Sequence, residues 1–140
     1  MTALPAKKIA FADVASNRKR GGDVRAMLTS KTVGATSGFM GVAVLEPGEF
    51  VSEHYHPYSE EFIYVVSGLL VMRIDDEPVH LAPGEGLVVP KNARHRLMNV
   101  GDERAEVVFH LGPLAPRPDL GHVDTEPYPA EVANAGGTPA

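Results

Sequence analysis

The sequence predicts an all-β domain, a sandwich or barrel of short strands. Apolar and polar residues alternate with period two through the middle of the chain, and Gly, Pro, Asp and Ser clusters break that pattern at short intervals. No convincing amphipathic helix and no internal repeat accompany them.

Three regions follow in order. Residues 1–37 form an N-terminal arm with Gly21-Gly22, a Thr/Ser/Gly-rich stretch and one short alternating piece, expected to pack on the barrel or on a partner subunit. Residues 38–112 form the domain, with runs at Phe39–Leu45, Phe50–His56, Glu61–Val66, Leu69–Ile74, Val79–Leu81, Gly86–Val89, His95–Asn99 and Ala105–Leu111. Pro-Gly, Ser-Gly, Asp-Asp-Glu and Gly-Asp-Glu punctuation separates them, as turns require. Residues 113–140 make a Pro-rich extension, expected to lie along the domain and to be disordered at its end.

Composition narrows the function classes. A chain of 140 residues suits one domain with a real core. The absence of cysteine removes disulfides and thiolate ligands and fits a cytoplasmic protein. No apolar run is long enough for a membrane span, and no signal peptide is evident. Residues 1–31 carry seven Lys/Arg against two Asp, yet the whole chain has a net charge of -5. The basic run Arg18-Lys19-Arg20 is therefore read as a solvated arm rather than a nucleic-acid contact.

His54-Tyr55-His56 is where the chemistry concentrates. Alternate strand residues share a face, so the two imidazoles point into one volume. A hairpin joining Phe50–His56 to Glu61–Val66 through Pro57–Glu60 would set His56 opposite Glu61 and His54 opposite Ile63. That register selects Glu61 over the loop residue Glu60 as a carboxylate ligand. Pairing His95–Asn99 with Ala105–Leu111 would place His110 opposite His95, as a further ligand or a base. His80 and, in the tail, His122 are read as surface residues.

The framing residues add a resemblance. Gly48, His54, His56, Glu61 and Gly68 read G-x5-H-x-H-x4-E-x6-G, and Gly84, Pro90, His95 and Asn99 read G-x5-P-x4-H-x3-N. Together these resemble the two motifs of the cupin superfamily, small β-barrels or jelly rolls that hold a metal with three histidines and a glutamate. Asn92 stands where the second motif has glycine; asparagine tolerates a left-handed turn better than most residues. The resemblance implies a divalent ion on His54, His56, Glu61 and His95. Zinc heads the expected ions, with iron, manganese, nickel or copper also compatible with an imidazole–carboxylate set.

A narrower resemblance rests on Arg20–Asp23, Ser30–Met40, His56–Phe62 and Gly112–Pro118. These segments are similar to the monocupin cyclases of bacterial aromatic polyketide biosynthesis, the tetracenomycin and resistomycin type. It implies an intramolecular aldol ring closure of a poly-β-keto intermediate, delivered free or on an acyl carrier protein. His110 or Glu61 would supply the base, and Met40, Ile63, Val65, Leu97 and Phe109 or Val108 an apolar substrate pocket. A cupin oxygenase and a non-catalytic small-molecule-binding accessory cupin are the alternatives. Phe62, Tyr64 and Val66 fall on the opposite strand face and need cover, so a homodimer is expected.

Overall fold

A computed structural model describes residues 7–129, so the disorder expected at the very end of the chain lies outside the described residues. Ten strands, β1 (Asp23–Leu28), β2 (Phe39–Leu45), β3 (Phe50–Tyr55), β4 (Glu60–Ser67), β5 (Leu70–Ile74), β6 (Glu77–Leu81), β7 (Gly86–Val89), β8 (His95–Asn99), β9 (Ala105–Gly112) and β10 (Val123–Asp124), form two antiparallel sheets. Their orders are β1-β2-β9-β4-β7 and β10-β3-β8-β5-β6. The all-β sandwich expected from the alternation forms, as the jelly roll that the cupin resemblance implied. A single helical turn, α1 (Ser30–Val33), carries a capping box at Thr29 and ends at Gly34 in the left-handed conformation.

Alternation decides which side chains meet. On β4, Glu61, Ile63 and Val65 face inward while Glu60, Phe62, Tyr64 and Val66 face out. On β8, His95, Leu97 and Asn99 are buried in turn. The two inner faces enclose a core in which Leu45, Val65, Leu70, Met72, Val89 and Val107 are almost wholly shielded. Asn99 belongs to this frame: its Nδ2 donates to the carbonyls of Leu45 and Glu103, both at 2.8 Å, and its Oδ1 accepts from Gly101 N. The β5–β6 hairpin turns on Asp75 and Asp76, both at positive φ, the geometry of a two-residue turn. Asn92 adopts φ 70°, so it makes the left-handed turn that glycine makes elsewhere.

Two expected pairings are corrected. β3 does not form a hairpin with β4; it pairs with β8 and β10, and β4 lies in the other sheet between β9 and β7. The short connection of residues 56–59 therefore turns a corner between sheets. Likewise β8 pairs with β3 and β5, not with β9, so His110 is not opposite His95. His110 instead lies beside Met40 and Phe62 in register and is exposed.

A bulge aims the first histidine. Between Val51↔Leu97 and His54↔His95 the β3–β8 register gains a residue on β3, so Ser52, Glu53 and His54 are buried consecutively. Without it, Val51 and His54 would face opposite ways; with it, both reach the interior. The freed amides find other partners: Ser52 N donates to Arg20 O at 2.8 Å, and Glu53 N to the Glu126 carboxylate at 2.6 Å. The arm and the tail thus close on the same bulge.

Candidate metal centre and its cavity

His54, His56, Glu61 and His95 converge with their donor atoms within 4.8 Å of one another, all four side chains buried. Three segments place them: the bulged end of β3 with the residue that follows it, the first inward position of β4 and the first residue of β8. Glu61 Oε1 lies 3.0 Å from His56 Nε2 and 3.3 Å from His95 Nε2. Glu60 is exposed, as expected.

The far ring nitrogens fix the chemistry of the near ones. Nδ1 of His54 donates to Ser52 O at 2.7 Å, Nδ1 of His95 to Ala93 O at 2.9 Å, and Nδ1 of His56 to Gly121 O at 2.8 Å. A ring that donates from Nδ1 and is neutral turns the lone pair of Nε2 toward the centre. Lone pairs and a buried carboxylate facing one another repel unless a cation, or a shared proton, stands between them. The donor set fits a divalent metal on these observations, and it contains no thiolate.

Electrostatics agree with that fit. Burial, helped by His95 and His122, pushes His54 down to about 2, so its imidazole is neutral at ordinary pH. Burial opposes the charge of Glu61, but the facing His56 and His95 outweigh it and hold the carboxyl below its ordinary value. Burial also lowers His95, yet Glu61 prevails and its net shift is upward.

The four residues form the floor of a cavity of about 370 Å³ whose walls include Phe39, Val51, Ile63, Leu97, Val107 and Phe109. Of the expected pocket residues, Ile63, Leu97 and Phe109 line it. Three others are corrected. Met40 and Val108 occupy outward positions, because β2 and β9 turn their odd-numbered residues inward, and Phe39 lines the wall instead. Val65 points inward but is sealed in the core and does not reach the cavity. His110 shares the parity of Met40, so it is neither a ligand nor a base for this centre; its ring lies 6.0 Å from Phe62 on the outer face.

One wall residue departs from its expected place on the surface. The tail sets His122 over the centre, its ring stacked on His54 with centroids 4.2 Å apart. His122 Nε2 lies 2.7 Å from Asp124 Oδ1, and Asp124 itself pairs with His54 across β10–β3. Burial, helped by Arg20, lowers His122 to about 4 against the pull of Asp124. The arm contributes Val14, Ala15, Asn17 and Arg20 to the same wall.

Comparison with known proteins accords with this geometry. The cupin domain family matches residues 41–111. The chain is 63% identical to Protein SchB of Streptomyces halstedii, over 97% of this chain and 98% of that protein. It is 52% identical to the Tetracenomycin polyketide synthase protein TcmJ of Streptomyces glaucescens, over 94% and 89% of the two chains. The fold superposes on the polyketide cyclase RemF from Streptomyces resistomycificus with a TM-score of 0.70, covering 94% of each chain at 16% identity. Among the described residues, no helix is long and apolar enough to cross a membrane. Motifs, sheet order and relatives agree: the chain belongs to the cupin family, in the group that includes SchB and TcmJ.

Proposed function

We propose that the protein is a metal-dependent cyclase that closes a ring in a poly-β-keto intermediate by intramolecular aldol condensation. One observation carries this reading: a centre of three histidines and one glutamate lines a cavity whose walls are mostly aliphatic and aromatic, in a chain whose relatives SchB and TcmJ are close and of which TcmJ is named a polyketide synthase protein. A bound divalent ion, zinc first among those the donors suit, would act as a Lewis acid toward the oxygens of a 1,3-diketone.

The chain's own residues do the rest. Phe39, Val51, Ile63, Leu97 and Phe109 exclude water and fold a flexible acyl chain so that one pair of carbons meets. Glu61 serves as ligand and keeps the centre's charge balanced. His122, outside the donor set and oriented by Asp124, is the imidazole positioned to take the α-proton that His110 is turned away from. The substrate is thus a small-molecule polyketide, and an acyl carrier protein would be its alternative vehicle.

Two copies of the chain form the working unit in this reading. Phe62, Tyr64, Val66 and Val88 are 44–52% exposed on one outer face, and Phe62 and Val88 are direct neighbours across β4–β7. Incubating the metal-loaded protein with a nascent poly-β-keto mixture tests the function. Enrichment of one aromatic ring pattern is expected; a product mixture identical to the spontaneous one would refute it.

A further inference from the structure

The cavity has a polar wall residue that ring closure alone does not use. Arg20 lines the wall that also carries His54 and His122, and its main-chain carbonyl is fixed by Ser52 N of the β3 bulge. Its Nε is buried and makes no hydrogen bond among the described residues. The nearest carboxylate, Asp124, lies 3.7 Å from that nitrogen, too far for a hydrogen bond. Asp124 is engaged elsewhere, by His122 at 2.7 Å and by the Tyr128 hydroxyl at 2.8 Å. The guanidinium carbon sits 5.8 Å from the centroid of the Tyr128 ring.

A buried donor left unmade costs stability, and an acceptor supplied by a ligand recovers it. Guanidinium is the side chain best matched to a carboxylate, through paired charge-assisted hydrogen bonds. Among mostly aliphatic and aromatic side chains, the cavity wall thus carries one guanidinium besides the donor cluster, Asn17 and His122.

We infer that Arg20 receives a carboxylate borne by the substrate, which therefore enters as a free acid with its acyl terminus at Arg20 and its reacting carbons toward the histidine–glutamate centre. The inference deepens the cyclase reading and rests on it for the identity of the substrate. Arg20 touches the ligand without acting on the reacting atoms, so it sets specificity and orientation. Because Arg20 shares a wall with His54, the anion it holds belongs to the molecule inside the cavity rather than to a carrier arm outside.

Calorimetric titration of the zinc-loaded protein tests this with three probes: 6-hydroxy-2-naphthoate, its methyl ester and 4′-phosphopantetheine. The acid is expected to bind about tenfold more tightly than the ester, the worth of one charge-assisted pair. Arg20→Gln should erase that preference without changing metal content. Asp124→Asn should strengthen acid binding, since it frees the guanidinium from a competing carboxylate; a purely structural Arg20–Asp124 bridge would make both substitutions act alike. Equal binding of acid and ester, a preference that survives Arg20→Gln, weaker acid binding in Asp124→Asn, or Arg20-dependent binding of phosphopantetheine alone would each overturn the inference. These outcomes concern binding only, so ring closure can persist if they fail, and the acid preference can persist if ring closure fails.

Discussion

His56 Nε2 and Glu61 Oε1 lie 3.0 Å apart although Glu61 stands on β4 and His56 directly follows β3 of the other sheet. The centre is therefore a bolt between the two layers of the sandwich, and what binds there joins the layers. Glu61→Gln, which keeps the shape and removes the charge, should lower retained metal from about one ion per chain to a small fraction after dialysis. Elemental analysis checks this, and the metal-loaded wild type should melt at a higher temperature than the chelated form.

Acid should weaken the ion-free fold. His54 is lowered to about 2 and His122 to about 4, both chiefly by burial, while an unfolded histidine titrates near 6.5. The unfolded chain then binds more protons below pH 6.5, so stability is full above that value and falls as pH drops toward the folded values. Glu61, also lowered, adds the same sign below about 4.5; His95, raised, opposes it above 6.5. His54 alone contributes at most about 1.4 kcal/mol per pH unit. Thermal melts of the chelated protein between pH 7 and 5 should show this slope, and His54→Leu should reduce it, leaving the share of His122.

Glu53 ties the tail to the barrel. It is buried in the β3 bulge, accepts from Thr125 Oγ1 at 2.8 Å and from Arg94 Nη1 at 3.3 Å, and its amide is held by Glu126. Glu53→Ala should destabilise the fold, because it removes the acceptor that ties Thr125 to β3 and one of the carboxylates on Arg94, which keeps Asp76. It should also speed proteolytic cutting between residues 117 and 129, the segment that carries His122. Urea denaturation and mass spectrometry of a limited digest measure the two effects.

The outer face of β4 gives a further expectation. Tyr64→Glu places a charge in the middle of the Phe62–Val66–Val88 patch and should convert a dimer to a monomer at micromolar concentration, with metal content unchanged. Size-exclusion chromatography with light scattering reads the result; a wild type already monomeric would refute the shared face.

Much of the centre was legible in the chain because it depends on local parity. His54 and His56 alternate, and the strand bounds of β2, β7 and β8 match the runs read from sequence. The hairpin that singles out Glu61 in the sequence does not form; the inward position of Glu61 on β4 follows from alternation with Ile63 and Val65, which is insensitive to the partner strand. Met40 and His110 share one parity error, since which face of β2 and β9 turns inward depends on the neighbouring strand. His122 was out of reach for a different reason. Its place over His54 is set by long-range bonds from Thr125 and Glu126 to Glu53 and Arg96, and no local pattern in a Pro-rich tail announces them.

The central claim is that the centre built from His54, His56, Glu61 and His95 closes the ring, and a metal titration in the reconstituted reaction tests it most directly. Chelated protein is supplied with zinc in fractional equivalents alongside a nascent poly-β-keto substrate, and bound metal and cyclised product are quantified in the same samples. Cyclised product should rise in proportion to bound metal, saturate at about one equivalent per chain, and stay at the spontaneous level in His54→Ala/His56→Ala. Full cyclisation by chelated protein, or by that double variant, would contradict the account.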